Sequence, residues 1–293
     1  MSQIRQRWRL TFARDEEARY LSHLDAVHLW ERAFRRGEIP LATSEGFNPR
    51  SKLVFAAPLQ LGMLAEHDLA DLFLAERLTS PDLRRRLASG MPRGYRVVDL
   101  HDVWVGAPAL APQLAAADYR VTLFNVKHGD LAAAVARLMD ADKLPRQRHR
   151  EKRSISYDLR PLLLDAQVHA PDPTAIAQAV VAQAPAPADL AAVDLWLRLR
   201  HSQDGGSGRV EEVVAALASE LGMTTRLASG EAEGGADHRP GVGGSEATPE
   251  PGDTPDAVES AAPIPFLEAV GAVRERLWLA EELERAGPQP RPT

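Results

Sequence analysis

Before residue 228 the chain runs twice through one order of segments, strand–helix–strand–strand–helix–strand, and that order is the strongest constraint on its fold. Ile4 to Phe12 alternates. Ile4, Gln6, Trp8, Leu10 and Phe12 fall on one side and Arg5, Arg7, Arg9 and Thr11 on the other, which predicts a strand with one buried and one wet face. Residues 22–36 have helical spacing, with Leu24, Val27, Trp30 and Phe34 inward, Ser22 as N-cap, Asp25 in the first turn and Gly37 as the stop. Short strands follow near 53–56 and 68–75. A helix capped by Ser80, with Pro81 at its first position, and a strand over 95–101 close the first cycle.

The second cycle reads as a strand over 119–124, a helix over 130–140, strands near 153–160 and 163–169, a helix near 174–184, a strand over 193–201 and a further helix over 210–221. This pattern predicts an α+β protein of two tandem ferredoxin-like (βαββαβ) units, residues 1–110 and 111–228, packed together. Residues 229–263 are rich in Gly, Pro, Ala and acids, with Val242 and Val258 as their only large aliphatics, so they are expected to form a disordered acidic linker. Residues 264–293 regain a stripe of Leu267, Val270, Val273, Leu277 and Ala280 and are expected to be an amphipathic helix with a short tail.

Charge has to be read by segment. The chain has 293 residues and a formal net charge of −6. The acidic stretch holds eight acids and one base; taking these from the totals of 41 and 35 leaves 34 bases against 33 acids, so the body is near neutral. There are no cysteines, which excludes disulfides, thiol catalysis and a cysteine-held iron–sulfur cluster on this chain. The first fifteen residues have no apolar core of a secretory signal and no run reaches the roughly 18–20 apolar residues of a membrane span, so a cytoplasmic, non-membrane protein is expected.

Three basic features suggest a polyanion partner. On the predicted strands Arg5, Arg7 and Arg9 project one way, as do Trp196, Arg198 and Arg200. Guanidinium groups around an aromatic ring suit phosphates and a stacked base. An ordinary solvated or covered sheet face is the alternative. Lys143, Arg146, Arg148, Arg150, Lys152 and Arg153 place six bases in eleven residues, on a mobile loop or hairpin limb that either attracts a polyanion or serves as a solvated linker. The loop 44–52, with Phe47, Arg50 and Lys52, fits a phosphate or single-strand RNA contact and equally a structural hinge. It lacks the spacing of a P-loop.

Catalytic and metal signals are sparse. His23 and His28 are five apart, roughly 140° around a helix, and no metallohydrolase pairing of histidines occurs. His23, Tyr20 and Lys52 are weak candidates for a metal-independent base and its partners; the bland reading of His23 is a structural hydrogen bond at a helix start. No metal or cofactor is expected.

The stretches Tyr20-Leu21-Ser22-His23-Leu24-Asp25, Trp30 to Arg36, Ser44 to Pro49, Lys52-Leu53 and Pro58-Leu59-Gln60-Leu61-Gly62 resemble the radical-SAM-linked protein family, and Tyr157-Asp158-Leu159-Arg160-Pro161-Leu162 is similar to its second-half motif. The resemblance spans most of residues 3–225. It implies an uncharacterised bacterial domain fused to or encoded beside a radical SAM protein, often near an RNase of the E/G type. Without cysteines this chain cannot itself supply radical SAM chemistry. The expected function is therefore a non-catalytic accessory domain that binds RNA (tRNA or rRNA) for a radical SAM partner. A metal-independent RNA-processing endonuclease and a protein-interaction scaffold are the alternatives.

Overall fold

The computed structural model describes residues 4–44, 49–150, 153–170, 192–202, 205–227 and 266–287. The expected linker 229–263 and the helix expected near 174–184 lie outside the described residues. Those described form a mixed α+β fold built on one large sheet, with five α-helices.

The first cycle gives β1 (Gln6–Arg14), α1 (His23–Arg36), β2 (Leu53–Phe55), β3 (Leu64–Leu74), α2 (Ser80–Gly90) and β4 (Tyr95–Val103). Strand β1 pairs antiparallel with β3 and β4, and β2 pairs with β3. The apolar side of β1 faces the helices: Trp8, Leu10 and Phe12 pack with Trp30, Phe34, Leu83, Leu87 and Tyr95. Trp30 is fully buried and lies 5.1 Å from the Phe12 ring and 5.2 Å from the Tyr95 ring, both edge-on, a geometry that adds to the area term. The Ser22 hydroxyl accepts from the Asp25 amide at 3.2 Å, as the capping pattern predicts. For α2 the cap is Thr79 rather than Ser80, accepting from the Asp82 amide. Leu24, expected inward, is 67% exposed in the first turn of α1, which begins at His23. Helices α1 and α2 approach so closely that a Cβ at Gly37 or Gly90 would collide with the backbone of the other helix.

The second cycle gives β5 (Leu114–Phe124), α3 (His128–Asp140), β6 (Pro145–Arg150), β7 (Arg153–Asp158), β8 (Leu163–His169), β9 (Val193–Ser202), β10 (Gly206–Ser207), α4 (Val210–Glu220) and β11 (Thr224–Leu227). Strand β9 lies between β5 and β8, while β6 and β7 form a separate two-stranded ribbon. Leu195, Leu197 and Leu199 of β9 point into a core with Val121, Leu123, Leu131, Leu138, Val213 and Leu217.

The C-terminal segment departs from its expected helix. Phe266–Leu279 is a 14-residue strand, β12, inserted between β5 and β3, and only Ala280–Ala286 is helical (α5). It runs antiparallel to β5, parallel to β11, and parallel to β3 at Val273–Leu64 and Arg274–Ala65. Register shifts fall between Ala269 and Gly271, between Arg274 and Arg276, and between Trp278 and Leu279. Each inserts or displaces a residue and resets the two-residue alternation. The resulting spacing of Leu267, Val270, Val273 and Leu277 imitates a helical stripe. The two halves thus share one sheet, joined through β12.

Candidate functional site

The arginines of β1 are on the helix-free face, but they are not wet. Arg7 and Arg9 are 1% and 6% exposed, and both bind Asp71 of β3, which is fully buried. Arg7 donates from Nε and NH2 to Asp71 Oδ2 at 3.0 and 2.5 Å; Arg9 donates from Nε to Oδ1 at 2.9 Å and from NH2 to Oδ2 at 3.1 Å. The antiparallel register places Arg9 directly opposite Asp71. Arg7 also donates to the carbonyls of Ala107 and Pro108, fixing the loop after β4. The expectation of a polyanion-facing Arg7 and Arg9 is corrected: a buried guanidinium needs a carboxylate, and Asp71 supplies it. Arg5 and Arg50 are exposed, Lys52 stacks 5.0 Å from the Phe73 ring, and Phe47 lies outside the described residues.

The second predicted platform is sealed in the same way. Arg198 is buried and donates to both oxygens of Asp118, at 2.7 and 2.8 Å, and Trp278 Nε1 donates to the same carboxylate at 2.7 Å. The Arg198 guanidinium lies 5.2 Å from the Trp196 ring and 4.8 Å from the Trp278 ring, and Arg276 lies 3.9 Å from Trp278. Arg198 is therefore unavailable, Trp196 is half-buried, and Arg200 and Arg276 remain exposed. Trp278 and Arg276 were hidden from sequence reasoning by the helical reading of their segment. Arg276 and Trp278, two residues apart and stacked on one face beside Asp118, carried the two-residue spacing that could have revealed a strand.

The dense basic run forms the β6–β7 ribbon. Its register pairs Arg146 with Tyr157, Arg148 with Ile155 and Arg150 with Arg153, so these positions share one side. Arg148 is tied to Glu212 of α4 at 2.5 and 2.9 Å and lies 4.7 Å from the Tyr157 ring. Burial first, then the Glu212 carboxylate, push the Tyr157 phenol up to about 12, while Arg148 opposes them. Lys143 is exposed and Arg146 half-buried; Arg150 and Arg153 are described in backbone only, and Lys152 lies outside the described residues.

His23, Tyr20 and Lys52 do not assemble. His23 lies edge-on to Phe55, 5.8 Å between rings, on the helix side of the sheet, where Phe55 pairs with Ala70 and Ala70 with Leu10. Lys52 covers Phe73 on the opposite side, across from Arg7. Tyr20 is 51% exposed, with Arg19 over its ring. His23 instead lines a small pocket with Arg14, Asp68, Phe12, Phe55 and Tyr95. Among the described residues no group of three His, Cys, Asp or Glu side chains is placed to hold a metal ion.

The described residues thus form an α+β sheet protein with arginines locked to buried carboxylates and a basic two-stranded ribbon separate from the large sheet. The chain belongs to the family described as "Uncharacterized protein conserved in bacteria (DUF2344)", whose model matches residues 7–188. No curated protein matches it. A crystal structure of an unknown protein from Galdieria sulphuraria is similar over 74% of this chain and 94% of that one, at 14% identity and a TM-score of 0.23, too low to carry over its fold. No helix among the described residues is long and apolar enough to cross a membrane.

Proposed function

We propose that this chain is a non-catalytic accessory domain that binds RNA through the β6–β7 ribbon and serves a radical SAM partner. The observation that carries the RNA reading is the contrast in charge pairing. Arg7, Arg9, Arg198 and Arg274 are paired with buried carboxylates, whereas of the bases in this run whose side chains are described, Lys143, Arg146 and Arg148, only Arg148 forms a salt bridge, to Glu212. Cations without carboxylate partners bind a polyanion by releasing its counterions. On the sheet, exposed Arg200 lies on β9 with half-buried Trp196, while Arg276 is paired with Glu282 at 3.6 Å.

The partner is what the family resemblance implies, and the absence of cysteines in this chain assigns any cluster chemistry to that partner. Reading each half as a ferredoxin-like unit belongs to the same proposal. It is supported in the first half by the antiparallel pairing of β2 with β3, β3 with β1 and β1 with β4. The endonuclease reading loses its support, since His23 and Lys52 lie on opposite sides of the sheet.

The test is fluorescence anisotropy of the full chain with labelled tRNA and rRNA fragments at low and raised salt. Saturable binding that weakens with salt is expected; no binding to either RNA at low salt overturns the proposal.

A further inference from the structure

We propose a second site, independent of the ribbon: a cleft that takes a small oxyanion of the phosphate class. It has a volume of about 220 Å³ and crosses five strands on the sheet, from Arg120 of β5 past Val273 of β12 and Glu66 and His67 of β3 to Arg14 and Asp15 at the end of β1 and Arg96 of β4.

The argument is an account of donors and acceptors. Glu66 and Glu275 are both spent on Arg120, which donates from NH2 to Glu66 at 2.9 Å and from Nε to Glu275 at 2.8 Å, leaving NH1 without a partner among the described residues. Arg14 donates from Nε and NH2 to the carbonyls of Ala18, Arg19 and Leu21, so its buried charge is hydrogen-bonded to no carboxylate, and its NH1 is likewise unused. Burial lowers the Arg14 pKa, the mark of a cation short of compensation. Arg96 is exposed and makes no ion pair among the described residues, so its whole fork of N–H groups is open. His67 Nδ1 lies 3.0 Å from the Glu275 carbonyl, which can only accept; Nδ1 therefore carries hydrogen, and Nε2 is the ring's free position.

The lining thus presents spare guanidinium donors from three strands, with Asp15 and His67 Nε2 as its uncommitted acceptors. The complement is a group with several acceptor oxygens in a compact tetrahedron and a hydroxyl for the acceptors, which is a phosphate or phosphate monoester. The near balance of charge around the cleft makes short-range hydrogen bonding the source of selectivity rather than long-range attraction.

The experiment is an NMR titration of the ¹⁵N-labelled full chain with inorganic phosphate, repeated with ribose 5-phosphate to separate free phosphate from a monoester. Saturable shifts of the amides of residues 14–15, 64–67 and 96 are expected, at millimolar affinity or better. Arg96→Ala, at an exposed position that leaves the fold intact, weakens binding about ten-fold, the loss of one charge-assisted contact. Arg32→Ala, an equal charge change on α1, leaves it unchanged. No saturable shift at these residues, or equal losses in the two variants, overturns the site. Neither result bears on RNA binding by the ribbon.

Discussion

Arg274 and Asp68 stand 206 residues apart in the chain and are bonded at two points, Nε to Oδ1 at 2.7 Å and NH2 to Oδ2 at 2.6 Å, both side chains buried. Burial alone would lower the Arg274 pKa; the attraction and hydrogen bonds of Asp68 reverse that, so the guanidinium stays charged. The pair fastens β12 to the first half of the sheet, and Arg274 NH1 adds a bond to the Pro58 carbonyl at 3.1 Å. Arg274→Ala leaves Asp68 as an unpaired buried charge and is expected to cost about 3–5 kcal/mol in urea unfolding. The paired replacement Arg274→Met with Asp68→Leu recovers most of that loss. A single-variant loss within ~0.5 kcal/mol of zero contradicts the anchoring role.

Removing residues 266–293 takes β12 from between β5 and β3 and leaves the long strand β5 with an unpaired edge and β3 unpaired at Leu64 and Ala65. The truncated chain is expected to aggregate, seen as light scattering and loss of a monomer peak. A soluble monomer with the parent's circular dichroism contradicts the central placement of β12.

Arg7 holds the loop after β4 from beneath, through the Ala107 and Pro108 carbonyls. Arg7→Ala should therefore raise amide exchange in residues 104–113 while also leaving Asp71 with Arg9 alone. Unchanged exchange there shows that the loop is fixed by other means.

The contact between the ribbon and α4 carries its own pH dependence. Burial would raise the Glu212 pKa, but hydrogen bonds from Arg148 hold it below its usual range. Its contribution is present above the unfolded carboxylate value and is lost as pH falls through the lower folded value. Tyr157 works in the opposite direction: its raised value favours the neutral phenol in the fold, so its contribution holds below about 10 and is lost as pH rises towards about 12. Burial also raises Tyr95 and Tyr119, so ultraviolet titration should show three late tyrosinates, of which Glu212→Gln moves one down. The same variant frees Arg148 and should strengthen RNA binding. Late tyrosinates that Glu212→Gln leaves all in place contradict the coupling.

Local structure was legible where one residue decides it. The alternation of Ile4 to Phe12 found β1, and Ser22 with Asp25 found the start of α1. Pairing between distant strands was not. Nothing near Arg7 and Arg9 in the chain announces Asp71, nor does anything near Arg198 announce Asp118, so arginines that read as a basic face are internal ion pairs. Strand β12 was missed for a different reason: its bulges shift the alternation three times, so its apolar residues take helical spacing although their backbone is extended. The ribbon alone was visible as a charge cluster, because its bases are consecutive enough to need no tertiary partner.

The most direct test compares two sets of charge changes in one salt series with RNA. The account predicts that Arg150→Glu with Lys152→Glu lowers affinity strongly and reduces the slope of log K against log salt by about one to two. Exposed Arg32→Glu with Arg35→Glu on α1 should leave that slope nearly unchanged. Equal slopes for the parent and the ribbon variant would contradict the claim that this ribbon is where the chain meets RNA.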